Sequence, residues 1–440
     1  MNSGEIERLL VFDEVHRTSK KRWVALGLFC ALNCTQCYVW NTWGPIAETA
    51  MKAFPSWNKS SVALLSDWGC IMYLTCCLPI CWILNTSLLA TPIKIAAVLS
   101  TLGTFMRCIS SQEQIFTTTA HLAAILNGLS GVIIGPSTAL ISAVYFPTGE
   151  RTTATGISAA FNQLGMALSY LLGPAVASTT EDLHSNSTVD GAMLRVQIMS
   201  LMRIEFVAQL LVSVAIVCFF PNEDDNSVGN VESSKLGVFE SLKRLIRHKS
   251  MWCLCLAAAL SQGGTGPWLA MITIAFGNII SQTEADKLAF WTVVGSSILT
   301  LLTSRIMDIF QGHLKLAIYT LLITSSGMLL WVTLLDYRIL VFHKDELYAA
   351  VILGISLSWS SPALFLELAS EIAHPVSEAI VGGYMIFLSN IIGTLFYFSY
   401  FVPGLADKWS SCIVLGNLTI ATGLVTYVKE EYNRSTFERR

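Results

Sequence analysis

The chain has 440 residues, of which 53% are hydrophobic and only 13% charged, and this leaves no length for a sizeable soluble domain. The formal net charge of -3 points to no particular partner, and a nucleic acid is not expected among them.

Twelve apolar stretches fill the chain from Trp23 to Val428, each about the 20 residues that a helix needs to cross ~30 Å of hydrocarbon. They are predicted at 22–47, 61–84, 90–108, 116–145, 151–177, 196–220, 250–280, 287–307, 314–335, 347–367, 376–402 and 409–428. Polar punctuation separates them, and only the segment 222–249 is long enough to be a linker. The expected organisation is an N-tail over 1–21, a six-helix bundle over 22–221, the linker, a second six-helix bundle over 250–428 and a C-tail over 429–440. The fold class is therefore an all-α integral membrane protein. The first span is too long, and the charged tail before it too polar, for a cleavable signal peptide.

Basic residues set the expected orientation. Arg17, Lys20, Lys21, Arg22, Lys94, Arg151, Lys243, Arg244, Arg247, Lys315, Arg434 and others fall on one side if the N-terminus is cytoplasmic. Both tails and the linker are then cytoplasmic, and the sequons at Asn58 and Asn186 face the opposite side, where glycosylation is possible. The 12 Cys residues sit mainly inside spans and read as small apolar packing groups. No His and Cys spacing suggests a metal, and no cofactor is expected.

At a fixed shift of 228 residues, Pro147, Glu150, Asn162 and Gly165 fall on Pro375, Glu378, Asn390 and Gly393, and Trp40 falls on Trp268. This predicts two parallel repeats of six helices, the arrangement of major facilitator transporters, in which a cavity near the midplane lies between rocking halves. The loop from Ser304 to Lys315, with Asp308, resembles that superfamily's charged loop between the second and third helices of a half; its counterpart from Asn85 to Lys94 lacks the Asp and Arg. Gly165, Ser169, Gly173 and Pro174 give the fifth span a small-residue face for close packing.

Four segments, Trp40-Asn-Thr-Trp-Gly-Pro-Ile46, Leu126-Asn-Gly-Leu129, Glu150-Arg-Thr-Thr-Ala-Thr-Gly-Ile157 and Phe387-Leu-Ser-Asn390, resemble the feline leukemia virus subgroup C receptor family of major facilitators, solute carrier family 49, and in particular its lysosomal branch. The resemblance runs from about Arg22 to Tyr432. It implies transport of small amphipathic organic molecules: choline and ethanolamine, with haem also proposed, for some members, and vitamin B6 for the lysosomal one.

Trp40 and Trp268 are the leading substrate candidates. Each lies about 26 Å along its span, and a facing pair would sandwich a pyridine ring or hold a quaternary ammonium; an interfacial aromatic belt is the alternative. Trp43 is the nearest substitute. Gln163 lies near the midplane, where its amide would bind a hydroxyl or ring nitrogen, or else bridge helices. Relatives that carry choline have a similar Asn-Gln-Leu-Gly, whereas the lysosomal branch departs from it. Asn127 and Asn390 are counted with the binding candidates, with helix-to-helix bonding as their simpler role.

Ionisable groups inside spans are functional hypotheses because each is costly there. Asp67, His121 and Glu205 are the candidates for proton coupling, with Glu205 also expected to pair with Arg107 or Arg203 and His121 to sit near the luminal surface. Glu150, Arg151, Asp308, Glu371 and Glu378 are assigned to cytoplasmic gate loops. In the N-tail, Glu5, Leu9 and Leu10 fit an acidic dileucine sorting signal read by adaptor proteins.

The expected function is a monomeric secondary transporter in the lysosomal membrane, moving a pyridoxine-like nutrient by alternating access, with protons as the driving partner. A choline or ethanolamine facilitator, a plasma-membrane location and a non-transporting nutrient sensor are the alternatives. No catalytic arrangement is present, so an enzyme is not expected.

Overall fold

The computed structural model describes residues 21–177, 187–221, 237–276, 279–310, 312–402 and 404–434. The sorting residues Glu5, Leu9 and Leu10 and the sequon residue Asn186 lie outside them. The described residues form twelve passages that run alternately between two faces, called here proximal, where the first helix begins, and distal.

Helix α1, Lys21–Trp40, is the first passage. It stops at Trp40, where Asn41 to Ile46 turn before the short α2, Ala47–Ala53; the expected helix to residue 47 is thus cut short. Pro45 lacks the N–H that a continuing helix requires, and Gly44 lets the chain press its backbone against the Ala270 carbonyl. Helix α3, Lys59–Thr86, begins with a capping box in which Asn58 accepts from the Ser61 N–H at 2.9 Å. Then follow α4, Ala90–Met106, α5, Glu113–Tyr145, α6, Arg151–Val176, and α7, Ser187–Phe219, which starts before the residue 196 expected.

The expected linker contains an amphipathic helix, α8, Val238–Arg247, with Leu245 buried and Phe239 83% exposed. The second half repeats the pattern with α9, Lys249–Ala270, the single turn α10, Ile272–Ala275, and α11, Gln282–Ile309. The seventh passage therefore breaks after Ala270 instead of running to 280, as the first breaks after Trp40. Helix α12, Leu314–Asp336, leads to a tenth passage in two pieces, α13, Lys344–Trp359, and α14, Pro362–Ala373. Its expected end at 367 is corrected to 373, and a break at Ser360 and Ser361 is added. Helices α15, Glu378–Phe398, and α16, Leu405–Thr426, complete the chain. Asp308 and Glu371, expected in loops, lie in the helices α11 and α14.

Lipid tails offer no hydrophobic drive between helices, so close packing and internal polar bonds must hold them. Gly165 of α6 lies so close to the Cys34 carbonyl of α1 that no Cβ fits, and Gly263 of α9 lies similarly against the Ser389 carbonyl of α15. The first and fifth passages, and the seventh and eleventh, are thereby joined in the same way. Inside the first bundle, Arg107 and Glu205 form a fully buried pair at 3.0 Å; Thr42 donates to Glu205 at 2.6 Å, and Arg107 also donates to the Val39 carbonyl at 3.2 Å. The guanidinium lies over the Trp43 ring at 5.3 Å. This network holds the turn after α1.

The bundles meet along two seams, α6 with α11 and α3 with α15. On the distal face Thr273 donates to the Gly44 carbonyl at 3.2 Å, Gln282 to the Pro45 carbonyl at 2.6 Å and Tyr170 to the Leu269 carbonyl at 2.6 Å, all between bundles.

Candidate substrate-binding site

A cavity of about 370 Å³ lies between the seams, and the break in the tenth passage forms one wall. Pro362 cannot donate to the Ser358 carbonyl four residues before it, and the break leaves the Trp359 and Ser360 carbonyls without backbone donors at the same level. Side chains from three other helices satisfy them. Gln163 Nε2 of α6 donates to the Trp359 carbonyl at 2.9 Å, and Thr300 Oγ1 of α11 donates to the same oxygen at 3.1 Å. Gln262 of α9 donates to the Ser358 carbonyl at 3.2 Å, and Thr303 to the Ser360 carbonyl at 3.3 Å. Irregular backbone at membrane depth is tolerated where it lines a cavity, and discontinuous helices between repeats are the usual site of transporter ligands.

Opposite this wall, Asn162 donates to Asn33 at 2.7 Å, which donates in turn to the Ser158 carbonyl at 3.0 Å. Trp40 and Trp359 supply aromatic surface, and Met166 and Met385 adaptable apolar surface. Among the described lining residues there is no Asp, Glu, Lys, Arg or His. Such a cavity offers amide donors and acceptors, backbone carbonyls and ring faces, and no fixed countercharge.

Of the expected binding residues, Gln163 and Trp40 line this cavity. Trp40 donates its ring N–H to the Ser66 carbonyl at 2.9 Å, which orients the indole. Trp268 does not face it across the cavity: it is buried edge-on against Phe276 with 5.6 Å between ring centres, outside the lining. Trp40 and Trp268 differ in local role, and Trp359 from the broken helix takes the second aromatic place in the lining. Trp43 lies in a distal aromatic cluster, 5.1 Å from Trp57. Asn127 bonds reciprocally with Gln36, each amide donating to the other residue's carbonyl at 3.2 Å, and Asn390 donates to its own helix at Ile386. These two join helices or stay within one, and neither lines the cavity.

The ionisable candidates are dispersed. Glu205 is held in the Arg107 network. His121 accepts the Trp68 ring N–H at 2.9 Å in the distal half of α5. Asp67 is fully buried, with the Thr394 hydroxyl and the Cys70 thiol as its neighbouring donors and, among the described residues, no cation beside it. At the proximal face Glu150 pairs with Arg22 at 3.0 Å, and Arg151 donates to the Phe146 carbonyl at 3.3 Å. Asp308 accepts from the Thr153 N–H at 2.7 Å and its hydroxyl at 2.5 Å, linking the bundles. Glu371 and Glu378 are gathered with Glu367 around Arg434, at 3.3 Å and 3.7 Å for the first two. Asn58 is exposed on the distal face.

Sequence reasoning missed Trp359, Gln262, Glu367, Arg434 and Asp286. The string Trp359-Ser-Ser-Pro362 inside an apolar span was the available signal for the break.

The Major Facilitator Superfamily model matches residues 28–397. A solute carrier family 49 member 4 homolog from Xenopus laevis is 29% identical over 95% of this chain and 93% of its own length. The human choline/ethanolamine transporter FLVCR2 is 22% identical over 96% of this chain and 79% of its own. These similarities agree with the family resemblance carried by the sequence motifs. Among solved structures, FucP, an Escherichia coli fucose:proton symporter crystallised in the outward conformation, superposes with a TM-score of 0.67 at 13% identity, over 93% of this chain and all of that one. With the fold, a cavity between its halves and a family match over most of its length, this multi-pass membrane chain belongs to the Major Facilitator Superfamily, whose members are transporters and not enzymes.

Proposed function

We propose that the chain transports a small organic nutrient of the pyridoxine class, aromatic and rich in hydroxyls, across the lysosomal membrane by alternating access, with protons as the driving partner. The observation that carries this reading is the cavity itself: amides of Gln163, Gln262, Asn33 and Asn162 beside two indoles, with no charged lining residue. Such a lining suits a ring that carries several hydroxyls and no net anionic charge. Gln163 is the main switch in this scheme, because its bond to the Trp359 carbonyl joins the two bundles and a bound hydroxyl would compete for it. The proximal face is cytoplasmic in this reading, the distal face luminal, and Glu5, Leu9 and Leu10 direct the chain to lysosomes.

Choline or ethanolamine is the second reading. Trp40 and Trp359 offer ring faces that attract an ammonium, and the human relative FLVCR2 is named for those substrates.

The test is uptake of labelled pyridoxine and of choline by cells carrying a Leu9→Ala, Leu10→Ala form at the surface, at about pH 5.5 and about pH 7.5 outside. Acid-stimulated pyridoxine entry that falls at least about tenfold in Gln163→Ala supports the first reading. Choline entry indifferent to pH supports the second, and entry of neither despite surface expression removes both in favour of a sensor.

A further inference from the structure

Asp286 stands in the second turn of α11, at the distal end of the α6–α11 seam. It is 3% exposed, and neither carboxylate oxygen receives a hydrogen bond. Elsewhere among the described residues the strongly buried charges are matched: Arg107 by Glu205, Arg434 by three glutamates and Asp308 by Thr153. Asp67 likewise has no cation beside it, but the Thr394 hydroxyl and the Cys70 thiol face it. It lies in the distal half of α3, the helix that corresponds to α11 in the first repeat, and faces the other seam.

No cation among the described residues answers Asp286. The groups whose charge reaches it are Tyr170 of α6, with its hydroxyl committed to the Leu269 carbonyl, and the acidic Glu48 of α2. From α13, Lys344 is paired with Glu284 and Tyr348 donates to the Glu284 carbonyl. The single turn α10 carries no ionisable residue. In α14, Glu367 and Glu371 lie at the proximal end with Arg434, as do Arg151 of α6 and Glu150 before it. One turn before Asp286, Gln282 makes a distal contact between the bundles, which sets the carboxyl beside this gate.

We propose that Asp286 is a proton-binding residue of the transport cycle, with distal closure taking up one proton from the compartment that face meets. The inference rests on the transport reading above and gives its proton a residue. An ionised carboxylate sealed in apolar surroundings without a donor is costly, whereas the acid form carries no charge to desolvate. In the distally open state water solvates the carboxylate; on closing, one oxygen gains the proton and becomes O–H. Closure is then favoured as pH falls and disfavoured as pH rises, by at most about tenfold per pH unit for one proton.

The experiment needs no substrate. Met271, fully buried at the distal gate, is replaced by Cys in the surface-expressed form and labelled with a membrane-impermeant maleimide. Labelling above that of the parent is normalised to Ser56→Cys at an exposed distal turn, which corrects for the reagent's own pH dependence. The expected result is labelling that falls from about pH 7.5 to about pH 5.5, with the slope lost in Asp286→Asn and kept in Asp286→Glu. A slope absent from Met271→Cys alone, unchanged by adding Asp286→Asn or lost only with Asp67→Asn overturns the proposal. Should the Asn form fail to reach the surface, Asp286→Ser is read the same way. If neither pyridoxine nor choline enters while the labelling behaves as expected, the substrate reading fails and the proton site stands.

Discussion

The two seams between the bundles are built from different chemistry. Along α6, where it meets α11 and the broken tenth passage, the contacts are directional: Thr153 to Asp308 and Gln163 to the Trp359 carbonyl. Along the proximal half of α3 and α15 they are thiols against backbone, with Cys77 3.6 Å from the Gly383 carbonyl and Cys81 3.9 Å from that of Ala379. A thiol is a weak donor, and those distances fix little. One seam therefore has discrete positions to leave and re-enter, while the other lets small groups slide past one another. A rocking carrier needs both: a latch that defines its states, and a seam that costs little to shift.

Asp308→Ala should give the largest effect, because it removes a charged acceptor that two Thr153 donors share. Bonds to a charged group contribute about 1.5–3 kcal/mol, so the proximal-closed state should lose roughly tenfold to a hundredfold in population. Labelling of Thr155→Cys, a cavity residue, from the proximal side of permeabilised cells would report this as faster modification. An unchanged rate would mean that the polar seam is not a latch.

Next in size is a pair of matched glycine substitutions. A Cβ at Gly156, in the polar seam, would come within 2.6 Å of Ser304 Cβ, an atom fixed to its helix. A Cβ at Gly383, in the thiol seam, would clash with the Cys81 sulfur, the end of a side chain that can swing aside, and meet Pro136 and Cys77 at ordinary contact distance. Gly156→Ala should cost about 1–3 kcal/mol through overpacking, and Gly383→Ala under about 1 kcal/mol. Melting of the detergent-solubilised protein would rank them, and equal losses would erase the difference between the seams.

This contrast was partly open to sequence reading. Apolar length alone located the twelve passages, and rare residues at one shift paired the two halves. The cysteines read only as small apolar packing groups, because nothing in a span's composition states which of them share a face or that this face meets α15. Gln163 was legible because an amide at midplane depth is costly anywhere. Trp268 misled because symmetry of sequence was taken for symmetry of orientation; its helix breaks after Ala270, and the ring turns to Phe276. Asp286 escaped notice because four polar residues near it, from Ser281 to Glu284, resemble a loop, whereas in the structure they open a helix with a capping box. Arg434 lay beyond the last apolar stretch, where no periodicity marks a residue that folds back onto glutamates of α14 and α15.

The smallest expected effect is also the sharpest check on the sliding seam. The double variant Cys77→Ala, Cys81→Ala removes both sulfurs, which lie 3.8 Å apart on one face of α3, together with their long contacts to α15. A buried free cysteine behaves as a small hydrophobe, so little directional bonding is lost. Some packing is lost as well, but the backbone of α15 opposite retains its own helical bonds. Each substitution should cost under about 1 kcal/mol, and the rate of Thr155→Cys labelling should stay within about threefold of the parent. If the double variant instead opened the proximal side as far as Asp308→Ala, the thiols would be gripping α15, and the latch would have to be divided between both seams.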